Sequence, residues 1–235
     1  NEDSFGHGPA CAVVIDGATN LGDALMPGGN DAAWLARFGA RRLMAHADDG
    51  KGARKALRDA LADTEKSFHV LRRAEPEAMW QLPSASMMFV AEKNGALEFL
   101  SYGDCAALVQ RPGGAPLVIG PTFDSREKEA GRARMIAAET NLDPASGLNR
   151  PEFLDVLRAV RNHINSGTHW RFSPDAGAAA HAVRRTVPAR PGAHVLLASD
   201  GFIALASDYG AYDAEGLFDA ALDSGLDMLG AELRA

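Results

Sequence analysis

The chain of 235 residues has few cysteines, a deficit of positive charge and no long apolar run. Its two cysteines, Cys11 and Cys105, lie far apart and form no Cys-x-x-Cys pair, which argues against a zinc knuckle or a thioredoxin-like redox site. Both lie in apolar stretches, where a cysteine is typically a small buried residue, and this usage favours a reducing, cytoplasmic location. No apolar run approaches the roughly 18 residues needed to cross a bilayer, so we expect no membrane association.

The acidic balance, with 31 Asp and Glu against 24 Lys and Arg, gives a formal net charge of −7. A protein that neutralises nucleic-acid phosphates needs a concentrated basic face, so we expect no nucleic-acid partner. A hydrophobic share of 46% is enough to form a core, and 235 residues suit one large domain. Because there is no internal repeat, low-complexity tract or obvious linker, we interpret residues 1–235 as a single domain.

One strand and two helices are indicated in the first third of the chain. The apolar run at residues 10–15 ends at Asp16-Gly17, which predicts a buried strand that stops at a turn. After a loop, apolar side chains recur at helical spacing from Trp34 to Leu43, with Asp31 as the expected N-cap. The clearest amphipathic helix follows, and its apolar face consists of Leu57, Leu61, Thr64, Phe68 and Leu71.

The middle of the chain changes from helical to strand periodicity. Short turn sequences separate four predicted strands at residues 86–91, 96–101, 105–110 and 117–119. The first turn contains Asn94-Gly95, a strong signal for a tight β-hairpin, and the second contains Gly103-Asp104. Because parallel strands need long crossovers, strands joined this tightly predict an antiparallel meander.

The second half of the chain combines helices with two further strands. Helices are predicted at residues 126–139, 151–164 and 217–229, and strands at residues 180–187 and 194–198. The last strand ends at Ser199-Asp200-Gly201. Helices, then antiparallel strands, then helices again favour an α+β architecture, a sandwich with paired sheets inside.

Asp16 and Asp200 occupy similar positions, because each directly follows an apolar strand and precedes a glycine. A carboxylate there is fixed by a rigid strand yet lies at its accessible end, and the glycine lets the backbone carbonyl approach a ligand. Several such oxygens would repel each other unless a cation neutralised them, and oxygen ligands suit Mg²⁺ or Mn²⁺. Asp-Gly is also a common turn dipeptide, so spacing alone leaves a turn and a metal site equally open.

Four short blocks occur in order along the chain: Asn-Glu-Asp-Ser-Phe at residues 1–5, Val-Val-Ile-Asp-Gly at 13–17, Tyr-Gly-Asp-Cys-Ala-Ala-Leu at 102–108 and Leu-Leu-Ala-Ser-Asp-Gly-Phe at 196–202. Together they resemble the signature blocks of the type 2C, or PPM, family of metal-dependent protein serine/threonine phosphatases. The resemblance implies an αββα sandwich, in which two antiparallel sheets pack together and are flanked by helices. It also implies a two-metal site between the sheets and a variable helical insertion at about residues 121–178.

The resemblance implies catalytic roles for two aspartates. Asp16 corresponds to the family's aspartate that bridges both metals, and Gly17 would offer its backbone carbonyl to one of them. Asp200 would bind one metal. Asp16 and Asp200 are therefore the residues we expect catalysis to depend on, through a metal-activated water that attacks phosphorus in line.

Three further acidic residues match the family's metal-binding positions. Glu2 and Asp3 match the acidic pair at the second metal. Asp104 matches an aspartate that is linked in some members to a weaker third metal. The cofactors implied by the resemblance are thus two Mg²⁺ or Mn²⁺ ions, with a third in some members.

The chain departs from the family pattern at several positions. Ala18 stands where many members carry a His that is thought to protonate the leaving oxygen, a form of catalysis commonly worth about 10²–10⁴-fold. Cys105 replaces the Ser of a Gly-Asp-Ser block. The family's phosphate-binding Arg would precede Asn1 and its last metal-binding Asp would follow Ala235, so we expect the terminal strands of the fold to lie outside this chain.

These features predict a metal-dependent phosphomonoesterase that acts on phosphoserine or phosphothreonine in a phosphorylated protein substrate. Two alternatives stay open. Ala18 also suits a catalytically weak or inactive relative that binds phosphoproteins or regulates a partner. A hydrolase of small phosphorylated metabolites would use the same chemistry on another substrate. The sequence does not indicate an oligomeric state.

Overall fold

The computed structural model describes residues 1–48, 52–111, 114–120 and 151–234. Its strands are β1 (Asp3–Gly8), β2 (Cys11–Gly17), β3 (Ala85–Lys93), β4 (Ala96–Tyr102), β5 (Ala106–Arg111), β6 (Gly114–Ile119), β7 (Val183–Pro188) and β8 (Val195–Ala198). Its α-helices are α1 (Asp31–Asp48), α2 (Ala53–Leu71), α3 (Pro151–Arg161), α4 (Asp200–Ser207), α5 (Ala214–Asp223) and α6 (Leu226–Glu232). Short 3₁₀ helices lie at Met79–Gln81 and Ala176–His181.

The described strands form two antiparallel sheets, which confirms the predicted αββα sandwich. The larger sheet has the order β1-β2-β3-β4-β7, and the smaller sheet has the order β6-β5-β8. Helices α1 and α2 pack on the outer face of the larger sheet. Residues of α4 and α5 pack against the outer face of the smaller sheet.

Strand β2 shows why both faces of the larger sheet are covered. Its burial alternates, with Cys11, Val13 and Ile15 buried in the cluster that includes α1 and α2. Ala12 and Val14 point the other way and pack in the cluster between the two sheets. An almost continuous apolar run is the pattern expected of a strand buried on both faces.

The hairpin predicted at Asn94-Gly95 is confirmed. Lys93 pairs with Ala96, so the loop between β3 and β4 has two residues. Asn94 and Gly95 have φ values of 55° and 74°. Positive φ at both central residues is the conformation that matches the right-handed twist of the flanking strands.

The predicted continuous meander is wrong, because β4 and β5 belong to different sheets. The turn at Gly103-Asp104 carries the chain from the larger sheet to the smaller one. A turn sequence indicates that the chain changes direction, but not which sheet the next strand joins. The β3–β4 and β5–β6 hairpins are the parts of the meander that the structure retains.

Several element boundaries also differ from the prediction. Asn30 rather than Asp31 caps α1, since the Asn30 side chain accepts a hydrogen bond of 2.8 Å from the backbone N–H of Ala33. The single predicted C-terminal helix is divided into α5 and α6 before Gly225, whose φ is 80°. Strand β7 begins at Val183, after a 3₁₀ turn.

The helix α4 is not among the predicted elements, because the sequence pattern indicates only the end of a strand at Ser199-Asp200-Gly201. The helix predicted at residues 126–139 lies outside the described residues. Within the described parts of the chain, no helix is both long enough and apolar enough to cross a membrane.

Candidate functional site

The larger sheet places two predicted site residues side by side at one rim. Asp3 of β1 is the register partner of Asp16 in β2, and Asp16 is also the partner of Ser86 in β3. Directly opposed residues in antiparallel strands have their side chains on the same face. Asp16 continues the alternation of Ala12 and Val14, so this row faces the smaller sheet.

The smaller sheet brings two further aspartates to the same rim. Asp104 and Asp200 each lie two residues beyond the last pair of strands β5 and β8, which is Ala106 with Ala198. Asp200 begins α4, and its Oδ1 accepts a hydrogen bond of 2.5 Å from the backbone N–H of Gly201. Each sheet therefore supplies two aspartates to one end of the sandwich.

The carboxyl groups of Asp3, Asp16 and Asp200 meet at this rim. Partial burial, together with hydrogen-bonding contact and charge repulsion from Asp200 and Asp3, raises the pKa of Asp16 from the ordinary value of 3.8 to about 9, and burial is the largest of these causes. Adjacent carboxylates cannot all stay ionised without a counter-charge. In the protein without metal, a proton on Asp16 supplies part of that compensation.

Cys105 lies under the acidic cluster and is fully buried. Burial raises the pKa of its thiol, and the charges of Asp16, Asp104 and Asp200 raise it further. The thiol therefore stays protonated, and this cysteine is a packing residue rather than a nucleophile.

Gly17 is fixed by close packing as well as by its position after Asp16. A Cβ atom at this position would lie 2.7 Å from the backbone oxygen of Glu2 and 2.9 Å from the backbone oxygen of Ala32. Only glycine lets these three backbone segments approach so closely.

Glu2 binds the loop that follows β2. Its Oε2 accepts a hydrogen bond of 2.6 Å from the Thr19 hydroxyl, and its Oε1 accepts one of 3.0 Å from the Asn30 side chain. Since Asn30 also caps α1, Glu2 connects the edge strand to the start of that helix. In this arrangement Glu2 is a brace for the loop beside Asp16.

Asp104 has partners that differ from those of Asp16. Its Oδ1 accepts a hydrogen bond of 2.5 Å from the Ser86 hydroxyl. The same oxygen lies 3.9 Å from Nη1 of Arg171. Asp104 is thus linked to a hydroxyl and a guanidinium.

A cavity of about 720 Å³ opens at this rim. The residues that line it are Asp16, Ala18, Ser84, Ala85, Ser86, Asp104, Leu157, Val160, Arg161, His163, Ile164, His169, Arg171 and Asp200. Half of them come from residues 151–175, which we call the flap segment. The sheets therefore supply the acidic side chains of the cavity, and the flap segment supplies two arginines, two histidines and apolar side chains.

No sequence motif indicates a role for Arg161 or Arg171. Arg171 reaches Ser86 across 85 positions of the chain, and no local pattern reports a contact of that range. The only local signal was the turn-forming sequence Asn165-Ser166-Gly167, which predicts a tight turn but not what that turn carries.

The carboxylate oxygens at the rim are the type of ligand that hard cations such as Mg²⁺ prefer. Among the described residues, no group of three or more His, Cys, Asp or Glu side chains is arranged to hold a metal ion. Mg²⁺ keeps several waters and is commonly held by only one or two carboxylates. Asp16, in contact with Asp3 on one side and Asp200 on the other, meets that smaller requirement.

Solved structures with a similar fold include serine/threonine phosphatases. The Mycobacterium tuberculosis phosphatase PstP/Ppp is 17% identical, covers 100% of this chain and 84% of its own, and has a TM-score of 0.58. The catalytic domain of PstP in complex with two manganese ions is 17% identical over 100% of this chain and 85% of its own, with a TM-score of 0.56. The chain has the PPM phosphatase fold.

The S. agalactiae serine/threonine phosphatase is similar in fold as well. That protein is 12% identical over 99% of this chain and 85% of its own, with a TM-score of 0.52. No protein-family model and no curated protein sequence matches the chain. The likeness therefore lies in the fold.

Within this PPM fold, Ala18 lines the cavity directly after Gly17. Its backbone N–H donates a hydrogen bond of 2.9 Å to the carbonyl of Ser84, so the position is fixed but carries no titratable group. The two imidazoles of the cavity, His163 and His169, come instead from the flap segment.

Proposed function

We propose that this protein is a metal-dependent phosphomonoesterase that removes phosphate from phosphoserine or phosphothreonine in proteins. The observation that carries the proposal is the meeting of Asp3, Asp16 and Asp200 at the rim between two sheets of a PPM fold. Each carboxyl group is supplied by a strand or a helix start rather than by a loose loop, so their relative positions are set by the sheets.

The residues at the rim would divide the work between them. Asp16 and Asp200, one from each sheet, would hold Mg²⁺ or Mn²⁺, with Asp3 beside them. A bound cation of this kind lowers the pKa of its water and offsets charge on the phosphoryl group. The apolar side chains Leu157 and Ile164 would exclude bulk water from one side of the cavity.

Hydrolysis of a phosphoserine or phosphothreonine ester also needs a side chain that protonates the leaving oxygen. Ala18 cannot donate a proton. His163 and His169 are the two imidazoles that line the cavity, and we propose that one of them protonates the leaving serine or threonine oxygen.

The test is the turnover of p-nitrophenyl phosphate by the full chain with and without Mn²⁺. We expect turnover that requires Mn²⁺ and falls by at least about 100-fold in Asp16→Ala. Asp219→Asn is the matched control, because Asp219 is exposed on α5 and should leave turnover unchanged. Turnover that survives EDTA would contradict the proposal.

A second candidate is a phosphoprotein-binding relative without catalysis. Ala18 favours this candidate, because the side chain that follows Gly17 in the cavity cannot donate a proton to a leaving oxygen. It predicts that the protein binds a phosphopeptide but does not hydrolyse p-nitrophenyl phosphate at any Mn²⁺ concentration.

Comparing the rates on phosphopeptides and small phosphometabolites separates the protein phosphatase from a metabolite phosphatase.

A further inference from the structure

Arg171 occupies a defined position at the floor of the cavity. Its Nη1 donates a hydrogen bond of 2.7 Å to the hydroxyl of Ser86, which in turn donates to Asp104. A guanidinium carries five N–H donors in a rigid plane. One end of the Arg171 side chain is thus held, while the side chain as a whole lines the cavity and is 33% exposed.

The backbone of Arg171 is fixed on both sides. The next residue, Phe172, exchanges two backbone hydrogen bonds with Ala85, of 2.8 and 3.0 Å, and its side chain is fully buried in the core beneath the larger sheet. On the other side, the Asn165 side chain accepts a hydrogen bond of 2.9 Å from the Arg171 N–H. The same side chain donates to Ser173 and Asp175. A group placed so firmly keeps its geometry without a ligand.

Gly103 leaves the space through which Arg171 reaches Ser86. Its φ is 70°, and a Cβ atom there would lie 1.9 Å from Nη1 of Arg171 and 2.2 Å from the hydroxyl oxygen of Ser86. A side chain at this position would separate the guanidinium from its partner. The glycine of the Tyr-Gly-Asp block therefore serves the Arg171 contact as well as the turn.

A second guanidinium lies in the same cavity. Arg161 donates a hydrogen bond of 2.7 Å to the carbonyl of Thr19. Burial lowers the pKa of Arg161, and the charge of Arg171 lowers it further, while Glu2 opposes the shift. Two arginines that repel each other in one cavity are stabilised when a dianion binds between them.

We propose that Arg171 binds the phosphoryl oxygens of the substrate, and that its guanidinium takes the place of a third metal ion at Asp104. The inference rests on the proposed function, since the ligand is a phosphomonoester dianion beside the rim aspartates. One oxygen of Asp104 already accepts from Ser86, and a divalent cation there would be repelled by the guanidinium 3.9 Å away. The planar fork of an arginine matches two phosphoryl oxygens at once.

The first test measures the binding of inorganic phosphate to the full chain by calorimetry, with and without Mn²⁺. We expect Arg171→Met to weaken binding on the order of ten- to a hundredfold, as for the loss of a charged hydrogen bond, and Arg171→Lys to restore part of it. Arg190→Met makes the same change of charge in a separate groove and should leave the affinity unchanged.

The outcomes separate this inference from the proposed function. Unchanged phosphate affinity in Arg171→Met overturns the inference even if turnover requires Mn²⁺. Phosphate affinity that is weakened in Arg171→Met and unchanged in Arg190→Met supports the inference, even if the protein binds phosphate without hydrolysing an ester. Circular dichroism and the thermal midpoint of each variant check that it is folded. If Arg171→Met does not fold, the phosphate affinity of Arg171→Lys is compared with that of the wild type instead.

The second test counts Mn²⁺ ions bound at equilibrium dialysis. We expect Asp104→Asn to bind as many ions as the wild type, because Asp104 faces a guanidinium and not a metal. Arg171→Met should expose Asp104 and gain one ion, and the double variant with Asp104→Asn should lose it again. If the single variant Asp104→Asn binds one Mn²⁺ ion fewer than the wild type, the proposal that Arg171 replaces a third metal is wrong.

Discussion

At the scale of single residues, the proton on Asp16 links the candidate site to stability. The unfolded chain releases this proton near the ordinary carboxyl pKa of 3.8, whereas the folded protein without metal holds it up to about pH 9. The folded state therefore binds more protons within this window. Stability that depends on the proton is fully present below the ordinary pKa and is lost as the pH rises towards 9.

Asp16→Asn should stabilise the metal-free protein. Asparagine keeps the shape of the side chain and removes the charge that burial, Asp200 and Asp3 disfavour. We expect a gain of about 0.5–2 kcal/mol at pH 8 that shrinks as the pH falls towards 4. Urea unfolding at several pH values in EDTA measures it, and a gain independent of pH would contradict the explanation.

Single residues also show where the sequence was informative. The position of Asp16 and Asp200 after an apolar strand left a turn and a metal site equally open, and the resemblance of four sequence blocks to the PPM family favoured the metal site. Arg171 could not be predicted, because its place depends on Phe172 entering a core formed by other segments and on Gly103 leaving space. The roles of Glu2 and Asp3 as metal ligands stay predictions, whereas for Asp104 we propose the guanidinium of Arg171 in place of a metal.

At the scale of elements, the flap segment is firmly attached to the loop after β2. Arg158 of α3 donates two hydrogen bonds, of 3.0 and 2.7 Å, to the carbonyl of Leu21. Its guanidinium also lies over the ring of Trp80, 4.3 Å from the centroid. The Asn162 side chain accepts a hydrogen bond of 3.0 Å from the backbone N–H of Trp80. Helix α3 is thereby fixed beside the cavity.

The opposite end of the flap segment depends on a glycine in α1. A Cβ atom at Gly39 would lie 2.5 Å from the ring of Phe172, so Gly39→Ala should displace Phe172 and the neighbouring Arg171. We expect the overpacking to cost about 1–3 kcal/mol, partly offset by the better helix propensity of alanine. The KM for p-nitrophenyl phosphate should rise as well.

Gly230→Ala is the control for this substitution, because Gly230 is also helical and its nearest contact would be 3.6 Å away at Arg234. It should be neutral or more stable by up to about 1 kcal/mol. Urea midpoints and KM values of both variants give the comparison. Equal effects of the two substitutions would show that Phe172 has room to move.

Elements with strong local signals were predicted well. The Asn94-Gly95 hairpin and α2 follow from turn chemistry and helical periodicity, and both are confirmed. The assignment of β5 to a second sheet could not be predicted, since a strand with apolar residues on both faces fits either sheet. Helix α4 was missed because Asp200-Gly201 is equally typical of a turn.

At the scale of the whole molecule, the candidate site lies across the junction of the two sheets. Asp3 and Asp16 belong to the larger sheet, and Asp200 follows the last strand of the smaller one. Between the sheets, the described core is apolar and includes Met88, Phe99 and other side chains. A cation held from both sides would connect the two sheets at their open end.

Mn²⁺ should therefore stabilise the entire fold and not only the rim. At 100 times its dissociation constant, a ligand that binds only the folded state adds about 2.7 kcal/mol, or roughly 5–11 °C for a protein of this size. Differential scanning calorimetry with increasing Mn²⁺ measures the shift. Asp16→Asn should show little or none, and an equal shift in that variant would place the Mn²⁺ elsewhere.

The pairing of Asp16 with Asp3 and Ser86 has a consequence for folding fidelity. Side chains alternate between the faces of a strand, so a slip of β2 by one residue would turn Asp16 towards the helices and a neighbouring apolar side chain towards the rim. Such a molecule would lose its acidic cluster altogether instead of acquiring a modified one. Activity per molecule would then report the fraction of chains whose strands are aligned correctly.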